Sequence, residues 1–335
     1  MQLPFLRWAA EALAPVIDPA ARSKFASGAC VMTAFLRAAA RSAFVPFMLI
    51  GLNGVAIALV ATNQSYLWLA LVLATAIAVA HGAERIAPAY PEWNHDQDDT
   101  GTNIFHAAAY EMSSINGVLL IPLIVWLLPS WTLWPTSWPL VAQVLLAIVA
   151  ADFAFTMVHY LSHRYEWLWR LHAVHHGVSR LYGFNGLVRH PLHQTLDMVI
   201  GTLPLVLLGM PTDVAVLLGV AIALQLMVQH ANVDYALGPF RHHLSIGRLH
   251  HLHHVNWGTE GDCNFGLFLT LWDRMLGTFN PAPTRPIRAH DMGIDDAPDF
   301  PKSYVQQLLF PFVYKPGQGA AASQRAGRDA ITPAE

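Results

Sequence analysis

At 335 residues, 54% hydrophobic and 12% charged, with a formal net charge of −3, the chain lies outside the usual composition of a soluble globular protein. Its 19 Lys and Arg form no basic stripe, so no nucleic-acid partner is expected, and two cysteines, Cys30 and Cys263, make neither a disulfide framework nor a Cys-based zinc site. Histidine is the outlier, at 18 residues.

Residues 1–43 scatter Arg7, Arg22, Lys24, Arg37 and Arg41 among Ala, Leu and Phe, which predicts an amphipathic segment at a membrane surface. No removable signal peptide is expected there. Apolar runs at 44–62 and 66–82, split by NQSY, are each long enough at about 1.5 Å per residue to cross about 30 Å of hydrocarbon. The polar stretch 83–105 reads as an aqueous loop. Two further spans are expected at 107–128 and 138–158, joined by PSWTLWPTSW, whose tryptophans suit a headgroup belt. After a histidine-rich stretch, shorter apolar runs at 195–209 and 213–229, broken at GMPTD, form either a full hairpin or a re-entrant pair. From Lys315 the chain is small and polar, and a disordered tail is expected. The expected fold is all-α, a polytopic membrane helical bundle with a cytosolic histidine-rich helical cap. Its parts are an N-terminal segment 1–43, membrane helices and a polar loop 44–135, a catalytic domain 136–290 and a C-terminal segment 291–335.

Charge sets the orientation. With the N-terminus inside, the outside segments are 63–65, 129–137 and 210–212, which hold no Lys or Arg, so all 19 fall on the cytoplasmic side. The dense histidine clusters fall there too.

His159 and His163 are four apart and share one face of a helix leaving the fourth span. His172, His175 and His176 stand at i, i+3 and i+4, and His250, His253 and His254 repeat that H-x-x-H-H spacing. A surface or interfacial side chain is the ordinary reading of any one histidine. Three boxes at the ends of predicted spans are a different matter. Eight imidazoles exceed the four ligands of a tetrahedral zinc and suit two metal ions. His190 and His230 are candidate ninth and tenth ligands. His81, His106, His193, His242, His243, His251 and His290 fall off the shared faces or far from the boxes, where interfacial or supporting roles are expected.

An all-imidazole site leaves metal charge uncompensated, so carboxylates are expected behind the rings. Asp152 leads, because it shares a helix face with Thr156, His159 and His163. Asp197, Asp234 and Asp262 follow. Trp167, Trp169, Tyr182, Phe184 and Trp257 are candidates to line a lipid path, although packing is the commoner role for each. Arg180 and Arg189 are candidates for an anionic headgroup, against ordinary snorkelling.

Taken together, HYLSH, HAVHH and HHLHH resemble the boxes of the fatty acid hydroxylase and sterol desaturase superfamily of integral membrane oxygenases. The match runs over 145–285. NGLVRHPLHQ is similar to the family's His-Pro segment, and DCNFGLFLTLWDRMLGTF to its closing segment. The resemblance implies two non-haem iron ions held by histidines, dioxygen as co-substrate and a lipid C–H bond as target. Two departures stand out: no fused haem domain with a His-Pro-Gly-Gly signature is present, and the position four after His230 is Asp234. Electrons are therefore expected from an external ferredoxin-like carrier. Hydroxylation of a fatty acyl, sterol or related lipid is the expected reaction, with desaturation at the same site the alternative. A metal transporter would place ligands at the bilayer midplane, and an H-E-x-x-H hydrolase would need glutamate where Tyr160 stands. Both readings are disfavoured.

Overall fold

The computed structural model describes residues 28–128, 131–295 and 297–314, so the predicted amphipathic stretch lies mostly outside the described residues and the predicted tail entirely so. Among the described residues five helices are long and apolar enough to cross a membrane, where each backbone N–H and C=O must be satisfied within its own segment. Among the described residues there is no strand, only three isolated β-bridges.

The first span, Met32–Ala61, is built from α1 (Gly28–Pro46), a π-helical turn (Phe47–Leu52) and α2 (Asn53–Ala61). Pro46 explains the wide turn: it lacks an N–H and crowds the preceding turn, and the π register absorbs the mismatch. The other spans are α3 (Leu67–Ile86), α4 (Thr100–Leu127), α5 (Leu140–Ser162) and α9 (Thr212–His230). The loop predicted at 83–105 is shorter in the structure, because α3 continues to Ile86 and α4 begins at Thr100. Polar residues at both helix ends had disguised the helix. Glu84, for instance, is buried and accepts hydrogen bonds from Gly183 N (2.6 Å) and Asn232 N (3.1 Å).

The stretch left open between hairpin and re-entrant pair runs the length of the bundle. It forms α7 (Pro191–Gly201) and α8 (Leu203–Leu207), and Leu207 O and Leu208 O accept from Trp131 N, Leu133 N and Trp134 N in the loop at the far end of α4. Helix α9 then returns through the middle of the bundle. Apolar around its whole circumference, it is buried at nearly every position from Val214 to His230. Tyr66 OH donates to the Asp213 carboxylate at the far end of this helix.

All the histidine boxes therefore emerge at one end. There a cap forms from α6 (Glu166–His176), a 3-10 turn (Gly183–Leu187), α10 (Arg248–His253), α11 (Leu271–Leu276) and α12 (Tyr304–Val313). The cap has its own apolar core around Trp93, Val174, Leu181, Val188 and Leu252. Arg180 knits it together: the guanidinium donates to Asp99 (2.7 Å), Asp96, Thr100 and Trp93 O. Those donors are spent inside the protein, which corrects the reading of Arg180 as a headgroup ligand.

Candidate metal centre

Four chain segments deliver imidazoles to one place. Helix α5 carries His159 in its last turn, and His163 is its C-cap; α6 carries His172, His175 and His176; α9 ends at His230; α10 carries His250 and His253, with His254 as its C-cap. They sort into two groups whose ligand atoms lie within 4.8 Å of one another: His159, His163, His172, His176 and His253 in one, His175, His230, His250 and His254 in the other. All nine are buried. Each H-x-x-H-H box thus divides between the groups.

Hydrogen bonds fix which nitrogen of several rings is free. His159 Nδ1 meets Phe265 O at 2.8 Å, His175 Nδ1 meets Val188 O at 3.0 Å, His230 Nδ1 meets Leu226 O at 2.8 Å and His253 Nδ1 meets Cys263 O at 2.9 Å. A carbonyl oxygen only accepts, so Nδ1 carries the hydrogen in each ring and Nε2 holds a bare lone pair. Yet His175 Nε2 and His230 Nε2 are 3.2 Å apart. Two lone pairs at that distance repel unless a cation lies between them. His159 Nε2 and His253 Nε2, in the other group, are buried without any hydrogen-bond partner. The donor set therefore fits a pair of metal ions, one per group.

Electrostatics agree. Burial, helped by neighbouring imidazoles, holds His172, His176, His250, His253 and His254 well below the usual histidine pKa. For His175, burial and then the Arg189 charge do the same. Neutral rings are the form that binds metal.

Two short segments brace the rings. The stretch 261–265 supplies Cys263 O and Phe265 O, and the Asp262 carboxylate lies 3.1 Å from His163 Nδ1. The stretch 183–188 supplies Val188 O. Gly186 lets that turn approach α9: a Cβ there would sit 2.3 Å from Leu226 O, the carbonyl that holds His230.

Asp152 reaches no ring. Its carboxylate accepts from Phe268 N (2.7 Å), Leu269 N (3.2 Å) and Trp272 Nε1 (3.0 Å), so it anchors the loop that follows the bracing stretch. It stands about 10 Å along the helix from His159, too far for contact. Asp262, one of the weaker candidates, is the acid that meets a ligand ring. Asp197 takes Arg189 Nη1 (2.6 Å) and His193 Nδ1 (3.2 Å), while Asp234 pairs with Arg41 (3.2 Å) and Arg248.

His230 joins the second group and His190 joins neither. Pro191 opens α7, so His190 is its N-cap; its Nδ1 accepts from Leu192 N and its Nε2 faces Leu308 O. His193, expected in an interfacial or supporting role, has its ring 4.7 Å from that of His172 and its Nε2 2.9 Å from Ser162 Oγ. Its four-residue spacing from Asp197 was the available signal. Of the five path aromatics only Trp169 borders the rings, 5.0 Å from His163; Trp167 is exposed and Trp257 lies under Arg285. Phe265, not anticipated, packs against His159, His163 and His253.

Comparison with known proteins places this geometry. The family model described as fatty acid hydroxylase matches residues 144–278, which include all nine histidines of the two groups. The ornithine lipid hydroxylase OlsE of Rhizobium tropici is 33% identical over 264 residues, 76% of this chain and 78% of that protein. An alkylglycerol monooxygenase of Danio rerio is 28% identical over 56% of this chain and 38% of its own length, and sphinganine C4-monooxygenase 2 of Arabidopsis thaliana 28% identical over 42% and 56%. No solved structure matches the chain significantly. With a third of the aligned residues identical to those of a hydroxylase across most of both chains, and the family's region laid over both histidine groups, this multi-pass membrane oxidoreductase belongs to the fatty acid hydroxylase family.

Proposed function

We propose that the protein is a membrane-bound di-iron oxygenase that uses dioxygen to hydroxylate a C–H bond of a lipid. The observation that carries this is the convergence of two separate sets of Nε2 lone pairs, with His175 and His230 only 3.2 Å apart. His159, His163, His172, His176 and His253 would hold one ion, and His175, His230, His250 and His254 the other. When bound, the iron pair supplies the reduction of dioxygen to an oxidant able to break an unactivated C–H bond. The net reaction converts R–H, O2, two electrons and two protons to R–OH and water.

The chain's own residues do the positioning. Carbonyls of Val188, Leu226, Cys263 and Phe265 hold the rings in the tautomer that presents Nε2. Burial excludes bulk water from the rings. Because the boxes sit where the spans end, a lipid tail reaches them from the bilayer without leaving an apolar environment. The relatives named above are hydroxylases or monooxygenases, which favours oxygen insertion over desaturation.

The catalytic unit runs over 136–290 and the cap faces the cytoplasm. Far-side segments 62–66 and 131–139 carry no Lys or Arg, which supports that sidedness. Two electrons per turnover then come from a cytoplasmic ferredoxin-like carrier. Purified protein is expected to hold about two irons per chain, a figure set by the two ligand groups. Mass spectrometry of host lipids with and without the gene should show a gain of one oxygen. Loss of two hydrogens would make the enzyme a desaturase, and a zinc-only preparation active without oxygen would overturn the proposal.

A further inference from the structure

The C-terminal helix α12 has an unbalanced surface. Gln307, Phe310 and Pro311 are buried against the protein, whereas Val305, Leu309, Phe312 and Val313 are 63, 51, 66 and 66% exposed. At 3.6 residues per turn these four side chains fall in one arc of about 100°. Left in water, they would form a contiguous apolar stripe of the kind that marks a binding surface.

The height of the stripe is set by α4. Thr102 Oγ1 donates to Lys302 O (2.7 Å), the Tyr304 ring lies 5.8 Å from Phe105 and 4.7 Å from His106, and His106 Nε2 is 2.7 Å from Gln307 Oε1. From Phe105 to Leu127, α4 rises about 33 Å, close to the roughly 30 Å of a hydrocarbon core. Helix α12 is therefore level with the cap-side boundary of the bilayer. Its stripe continues the exposed apolar side of α4, formed by Ile104, Phe105, Met112, Ile115 and Leu119. Lys302, at the helix entrance, pairs with Asp98 (3.6 Å) and donates to Gln97 O (3.3 Å), so its ammonium ties the start of α12 to the loop before α4.

We infer that α12 lies in the headgroup layer with its apolar stripe among the upper acyl carbons, and so seats the histidine cap on the bilayer. The occupant of the stripe is lipid. The seat is tied to the metal centre: His106 bridges Gln307 and Arg189 O (3.1 Å), and the preceding carbonyl, Val188 O, holds His175.

The test places an environment-sensitive fluorophore on Leu309→Cys in the full chain, in a Cys30→Ser background, reconstituted in phosphatidylcholine–phosphatidylglycerol vesicles. Glu92→Cys, on the aqueous side of the cap, is the reference. Emission at 309 is expected to be blue-shifted and quenched several-fold more than at 92 by lipids spin-labelled near the top of the acyl chain. Equal, water-like emission at both sites overturns the inference. So does a blue shift that spin-labelled lipid does not quench, because protein would then cover the stripe, either residues 315–335 or a second copy.

A second arm rests on the proposed lipid oxygenase activity. Leu309→Glu, at an exposed position, is expected to raise KM for a bilayer-resident lipid about tenfold, by loss of interfacial binding, with kcat within about twofold. An unchanged KM in bilayers would overturn the seating role. Absence of turnover in the unaltered protein would instead count against the oxygenase reading and leave the quenching result standing.

Discussion

The two histidine groups look alike in sequence and are braced differently. Group one leans on 261–265, and that stretch is itself tethered by carboxylates: Asp273 accepts from Phe265 N (2.7 Å) and Gly266 N (2.8 Å), and Asp152 from Phe268 N and Leu269 N. Group two leans on 183–188 and on α9 itself, with Glu84 receiving Gly183 N and with Gly186 pressed on Leu226 O. One group's rings are thus oriented by a hydrogen-bonded loop, the other's by direct backbone packing on a buried helix. The lesson is that a loop tether can be loosened by degrees, whereas close backbone packing fails abruptly.

The strongest way to break the comparison is to remove a ligand. His175→Ala is expected to abolish turnover and to cut iron from two per chain towards one, a loss beyond the roughly 10- to 100-fold that follows removal of an outer hydrogen-bond partner. Membrane insertion should be unaffected. Wild-type activity in that variant would remove His175 from the ligand set.

Gly186→Ala comes next. Its Cβ, 2.3 Å from Leu226 O, forces the turn and α9 apart, a strain of about 1–3 kcal/mol by analogy with overpacked cores. Because Leu226 O orients His230, the second ion should be lost first. Iron analysis with Mössbauer spectroscopy checks this; equal loss from both sites would show that the groups are not separately braced.

The ligand boxes were legible because i, i+3, i+4 spacing on a helix is local geometry. His190 misled for an equally local reason: the proline after it makes it a helix N-cap, a signal present in RHP but outweighed by the histidine itself. The Asp152 reading had the right face and the wrong height, two turns from the rings. Which box histidine joins which group was not legible at all. The division of His175 from His176, neighbours in sequence, depends on where α9 and α10 end in space. The segments NGLVRHPLHQ and DCNFGLFLTLWDRMLGTF stood out, but what Gly186 and Asp273 do within them did not, since both roles are set by tertiary contact.

Asp152→Asn sharpens the loop side of the comparison. The amide oxygen still accepts a hydrogen bond, but its NH2 faces N–H donors, so at least one bond is lost, worth about 1–3 kcal/mol when a buried donor is stranded. The effect on iron is diluted, because Asp273 and Gln229, whose amide donates to Gly266 O at 2.9 Å, hold the same stretch. Roughly tenfold weaker retention is expected, confined to group one. Iron content and Mössbauer areas matching wild type would limit Asp152 to fold stability.

The smallest effect is expected from Asp262→Asn. The Asp262 carboxylate meets a box ring directly, at 3.1 Å from His163 Nδ1, yet its side chain is 15% exposed where that of His163 is 5% exposed. Water at that edge screens the charge, so the carboxylate contributes chiefly by orienting the ring, and an asparagine oxygen still accepts the same N–H. A few-fold rise in the rate of iron loss from group one is therefore expected, against about tenfold for Asp262→Ala, which removes the acceptor as well as the charge. Chelator-challenge kinetics on the two variants separate the roles. If asparagine were as damaging as alanine, charge rather than orientation would be the contribution of Asp262, and the first ion would depend on a compensating anion that the second group lacks.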